Sequence, residues 1–124
     1  MKPKFRASII GLEKLIEVNK IFFSNSGDIY INNYPGQDFY LMQSTGIKDK
    51  NGVEIYEGDI LKLHAIFLAP DDKIGYLEYS PKYGYSIIFE GNRLYRQEYW
   101  ASTNKLNYEV IGNIYENPEL LEDV

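Results

Sequence analysis

A mainly β protein follows from three observations on the chain. Turn signals recur at short spacing, apolar and polar residues interleave between them, and the composition holds twelve tyrosines, six phenylalanines and no cysteine. Aromatic and β-branched side chains suit pleated, half-buried surfaces. Strands separated by regular turns mark a small barrel or sandwich rather than layered α/β structure. The expected architecture is an N-terminal β-hairpin region over residues 1–56, a small SH3-like β-barrel over 57–124 and a short C-terminal helical turn, packed as one unit. At 124 residues, folding hides roughly two thirds of the unfolded chain's surface, so no disulfide or metal staple is required.

Lys4–Ile10 reads as a strand with Phe5, Ala7 and Ile9 on one face. Residues 11–23 fit both a helical face (Leu12, Leu15, Ile16, Val18) and alternation, and their β-branched content favours strand. Ser24-Asn25-Ser26-Gly27 turns the chain, Asp28–Asn32 is a short strand, Asn33-Tyr34-Pro35-Gly36 turns again, and Asp38–Gln43 is a further strand.

Asn51-Gly52 is the dipeptide of a type I′ hairpin turn, in which both central residues take positive φ. Glu57-Gly58-Asp59 is a second reversal, with Gly58 expected at positive φ. Leu61, Leu63, Ala65 and Phe67 then alternate with Lys62, His64 and Ile66. Ala69-Pro70-Asp71-Asp72 reverses the chain, Ile74–Tyr79 runs back, and Pro81–Gly84 is a tight turn. Tyr85, Ile87 and Phe89 form one face of the next strand, Gly91-Asn92 makes a hairpin, and Arg93–Trp100 is a strand or bent strand. A polar loop over Ser102–Asn107 precedes a last strand at Tyr108–Tyr115. Asn117-Pro118-Glu119 has the order of a cap, a first-turn proline and an early acid, so a single helical turn holding Leu120 and Leu121 ends the chain. Closure of the five strands after Gly58 into a ring removes the unpaired edges that tyrosine-rich strands otherwise expose.

Charge is divided unevenly. Residues 1–43 carry five bases and four acids, whereas 44–124 carry eight bases and fourteen acids, so the net charge of −5 resides in the second part. An acidic chain repels phosphate at long range, which disfavours unspecific nucleic-acid binding. Lys2, Lys4 and Arg6 precede an apolar run of about six residues, shorter than a secretory h-region, and no apolar stretch approaches the roughly 20 residues that cross a membrane. A cytoplasmic protein with no membrane contact is expected.

The string LMQSTGIKDKNGVEIYEGDILK, with KFRA near the N-terminus and YEVIGNIYENPELL near the C-terminus, resembles the YopX family of phage and prophage proteins. The resemblance implies a small, mostly β protein of phage or prophage origin, working in the cytoplasm of a bacterial host. The family has no agreed catalytic residues and no established biochemical role to carry over.

The residues themselves offer little chemistry. His64 is the only histidine, which rules out a two-imidazole metal site within one chain. Asp49, Asn51, Glu54, Glu57 and Asp59 supply oxygens, but Gly52 falls at the fourth position of that run and not the sixth, so the calcium-loop spacing fails. The turn explains Asn51 and Gly52, and a side-chain bond to nearby amides explains Asp59. Pro70-Asp71-Asp72-Lys73 lacks the second acid and lysine that a metal-dependent nuclease needs on its next strand. No metal, cofactor or catalytic residue is expected.

Aromatic side chains make the candidate surface. Tyr83 and Tyr85 flank the Gly84 turn, Arg93, Tyr95 and Arg96 lie in the following segment, and Tyr99-Trp100 closes it. Tyr83, Tyr85, Tyr95 and Trp100 are the expected anchors, with Arg93 as a directional charge. Cross-strand pairing of tyrosines for stability is the competing explanation. The leading expectation is a non-enzymatic protein-interaction module that binds a host or phage protein, or a second copy of itself. Nucleic-acid binding by the barrel is the alternative, with a metal-dependent hydrolase third.

Overall fold

The computed structural model describes residues 4–11, 14–32, 38–64, 73–89, 93–101 and 108–122. It divides into two compact units, Met1–Ser44 and Thr45–Val124.

In the first unit, β1 (Phe5–Ile9) pairs antiparallel with β2 (Lys14–Val18) on one side and with β5 (Phe39–Lys48) on the other. Residues 14–18 and 21–23 are therefore extended, as the β-branched content favours. A separate two-stranded ribbon is made by β3 (Ile21–Phe23) and β4 (Ile29–Ile31), with Ile21 opposite Ile31 and Phe23 opposite Ile29. Ala7, Ile9 and Ile31 are its buried core, with Ile16, Val18, Ile21 and Phe39 packed against them. Gly27 holds φ +90° in the turn between β3 and β4, where Ser24 and Asp28 close the loop backbone to backbone at 2.9 Å. The turn expected at Asn33–Gly36 and the side chain of Leu12 lie outside the described residues.

The strand expected to stop at Gln43 runs on to Lys48, so β5 starts in the first unit and ends in the second. There its last residues neighbour β6 (Glu54–Tyr56). Thr45 Oγ1 donates to the Ile55 carbonyl at 2.9 Å. This is why the division falls after Ser44 and not after Tyr56: Ile55 and Ile47 belong to the second core.

The second unit is built on β7 (Asp59–Leu63), β8 (Lys73–Ser80), β9 (Gly84–Ile88), β10 (Leu94–Tyr95) and β11 (Tyr108–Asn113). They form an antiparallel sheet in the order β10-β9-β8-β7-β11. The sheet is open, with β10 and β11 as its edges, so the closed SH3-like ring expected from the turn spacing is not what forms. Two features manage the edges instead of closure. β10 is only two residues long, and the outer side of β11 is met by the turn after β5: Lys50 N–H donates to the Tyr108 carbonyl at 3.1 Å and Val110 N–H to Asp49 Oδ2 at 2.8 Å. A short strand and a covered edge remove the same aggregation liability that closure removes.

One face of the sheet carries the core, in which Leu61, Leu63, Leu77 and Ile87 are each at most 1% exposed. Tyr85 and Phe89 pack against it, as the alternation of that strand predicts. Ala65, Phe67, the reversal at Ala69–Asp72, the Gly91-Asn92 hairpin and the Ser102–Asn107 loop lie outside the described residues.

Two expected turns differ in mechanism. Gly52 takes φ +78°, but Asn32 is the only described non-glycine residue at positive φ, so the Asn51-Gly52 turn is not type I′. Asp49 sets it instead: its Oδ1 accepts from Asn51 and Val53 N–H, both at 2.9 Å, while its own N–H bonds Val53 O. At the C-terminus the helical turn is a 3-10 turn at Pro118–Leu121. Asn117 does not cap it with its side chain; Oδ1 reaches back to accept from Asn113 N–H at 3.2 Å.

Gly58 has φ +88°, as expected, and its N–H and C=O bond Leu77 O and Ile114 N, both at 2.8 Å. Asp59 behind it is buried, with Oδ2 accepting from Tyr56 N–H at 2.7 Å. No helix among the described residues is long and apolar enough to cross a membrane.

Candidate functional site

The segment expected as a bent strand over Arg93–Trp100 is a two-residue strand followed by one helical turn, α1 (Gln97–Trp100). Among the described residues its backbone bonds are Tyr99 and Trp100 N–H on Arg96 O and Ala101 N–H on Gln97 O. Side chains fix it to β9 instead. Gln97 Oε1 accepts from Tyr85 N–H at 2.9 Å, and Trp100 Nε1–H donates to Tyr85 O at 2.6 Å. Gly84 permits this approach: at φ +71°, a Cβ there would run into Gln97 Oε1.

The same turn decides the fate of the expected anchors. Trp100 is fully buried, edge-on to Tyr108 with ring centroids 5.6 Å apart. It is a core residue, not a surface anchor. Tyr95 is also buried and stacks on Phe89 at 6.2 Å; burial raises its phenol pKa. Tyr85 is half-buried against the core and tilts over Tyr79 at 5.1 Å. Burial first, then the charge of Glu57 and the neighbouring Tyr79, raises its pKa above the ordinary 10.0. Arg93 is exposed and its carbonyl accepts from Phe89 N–H at 2.9 Å.

Of the five expected site residues, Tyr83 alone lines the open depression of about 720 Å³ on this face, with Lys82, Arg96, Gln97, Glu98 and Ala101. Arg96 is its organising group. The guanidinium lies over the Tyr83 ring at 5.1 Å and over the Tyr99 ring at 4.9 Å. Its Nη2 donates to Tyr99 Oη at 2.8 Å, and Nη1 is 3.4 Å from Glu98 Oε1. Lys82 Nζ adds a second cation 5.1 Å from the Tyr83 ring centroid. Each exposed cation–π contact contributes roughly 0.5–1 kcal/mol, enough to hold a long arginine side chain in one place. The result is a preset cation between two aromatic rings, with Tyr99 about half exposed.

Sequence reading placed Arg96 and Tyr99 in this segment but gave the charge role to Arg93. Their spacing of three is the signal, because on a helical turn residues i and i+3 face one another. Seen as a strand, they point to opposite faces.

Elsewhere, the oxygen-rich run from Asp49 to Asp59 has its two buried carboxylates committed to backbone amides. His64 Nε2 lies 3.2 Å from Glu109 Oε1. No three His, Asp or Glu side chains among the described residues are grouped as a metal ion needs.

A sequence model described as "YopX protein" matches residues 7–122. The crystal structure of protein EF1440 from Enterococcus faecalis is similar, with 31% identity and a TM-score of 0.64 over 98% of this chain and 99% of that one. A comparison with curated proteins gives no match.

Proposed function

The chain belongs to the YopX family, and on that premise we propose that it is a non-enzymatic protein-interaction module of phage or prophage origin, acting in the host cytoplasm. The observation that carries the reading is the Arg96 guanidinium held between Tyr83 and Tyr99 at the rim of the depression. Tyrosine and arginine are the side chains that dominate binding energy at protein interfaces. A guanidinium already ordered by stacked rings loses less freedom when a partner docks. Lys82 and Arg96 outnumber Glu98, the one acid among the described lining residues, so the spot is net cationic on a chain of net charge −5, and the partner segment is acidic. The described lining groups offer charge and ring faces, which is the chemistry of recognition.

The exposed Tyr99 ring beside the Arg96 guanidinium also suits a stacked base, which supports single-stranded nucleic acid as the second reading. Affinity capture from bacterial lysate, run with wild type and with an Arg96→Ala/Tyr99→Ala variant, tests the first. Partners retained by the wild type and lost by the variant are expected, and identical retrieval overturns the assignment. Fluorescence anisotropy with short DNA and RNA at low salt separates the readings: saturable, salt-sensitive binding there supports the second.

A further inference from the structure

The first unit holds a surface that the reading above does not use. Its ribbon covers only part of the apolar face of the β2-β1-β5 strands. Ile31 and Ile21 point onto Ala7 and Ile9. Two residues earlier, on the same side of the ribbon, Ile29 lies beyond that core and is 47% exposed. Opposite it, Leu41 of β5 is 36% exposed beside Phe39, and Ile10 is 47% exposed. These side chains line a groove of about 750 Å³ between ribbon and strand. Aliphatic surface of this kind gains by being covered.

Charge says what covers it. Residues 1–43 contain five bases and four acids, yet the described charged side chains lining the groove are two of those acids, Asp28 and Asp38, and none of the bases. Asp28 is set in place by its turn: its N–H donates to Ser24 Oγ at 3.1 Å, and Ser26 Oγ donates to its Oδ2 at 3.0 Å. Apolar walls with carboxylates between them, in a region whose mean charge has the opposite sign, are complementary to aliphatic side chains interspersed with lysine or arginine.

We infer that this groove is a second docking site, taking a partner-protein segment that carries aliphatic and cationic side chains together. It is independent of the Arg96 depression, so the two stand or fall separately. The probe is a fluorescent octapeptide of alternating leucine and lysine, compared with its leucine–glutamate and serine–lysine counterparts. Saturable anisotropy with the first alone is expected, weakening at least tenfold in Asp28→Asn/Asp38→Asn and in Leu41→Ser, and unchanged in Arg96→Ala. Circular dichroism of the surface carboxylate variant confirms that it stays folded. Equal binding of the serine–lysine peptide, binding indifferent to both groove variants, or no saturable binding overturns the inference. So does a dimer, seen by light scattering, that Leu41→Ser dissociates, because the groove is then an interface between copies.

Discussion

Replacing Asp49 with alanine removes the acceptor of three backbone N–H groups at once, those of Asn51, Val53 and Val110. The carboxylate is fully buried, so water does not take its place without opening the turn. Leaving the Val110 amide unpartnered costs about 1–3 kcal/mol. Asn51 and Val53 are exposed residues whose amides can turn to solvent, and losing each of those bonds costs about 0.5–1 kcal/mol. The sum is about 2–5 kcal/mol, which for a unit of this size lowers the melting temperature by on the order of 8–40 °C. Asp49→Asn is the sharper variant. Its Oδ1 still accepts from Asn51 and Val53, while the new amide group opposes the Val110 N–H, donor against donor, so the cost of about 1–3 kcal/mol for the unpartnered Val110 amide remains. Urea unfolding followed by the fluorescence of Trp100, the only tryptophan and a member of the same core, measures both. An alanine or asparagine variant within about 0.5 kcal/mol of wild type refutes the claim that this carboxylate covers the edge of β11.

Three further outcomes are expected. Gly58→Ala, forced to hold φ +88°, loses about 1–2 kcal/mol in the same denaturation assay. Trp100→Ala empties a fully buried site and costs about 3–5 kcal/mol, read by urea unfolding followed by circular dichroism because the variant lacks the tryptophan, whereas a surface anchor would leave that midpoint unchanged. Burial, with the Asp49 charge second, raises the Tyr108 pKa above its ordinary 10.0, so the unfolded chain releases that proton at lower pH than the folded one. This contribution to stability is whole below pH 10 and is lost as pH climbs from there through the raised folded value; in Tyr108→Phe, the alkaline fall in the urea midpoint is shallower.

Local rules made much of the fold legible. Gly58, Gly27 and the alternation at Leu61-Leu63 and Tyr85-Ile87-Phe89 each act through their own neighbourhood, and each occurs where the sequence places it. What escaped reading depends on partners far along the chain. Asp49 holds an amide 61 residues away, and that bond, with a two-residue β10, removes the need for the closed ring that edge arguments favoured. The candidate site failed for a related reason. A four-residue helix carries too little periodicity to be read, yet it turns Trp100 into the core and sets Arg96 under Tyr99. Tertiary hydrogen bonds to Tyr85, not helix propensity, create it.

The proposed role turns on whether the Arg96 face is where a partner sits. Hydrogen–deuterium exchange of the chain, free and bound to a protein retrieved by affinity capture, reads this directly. Slowed exchange at residues 82–85 and 96–101 is expected on binding. Protection confined to other strands, with these segments exchanging as in the free chain, contradicts the proposed role.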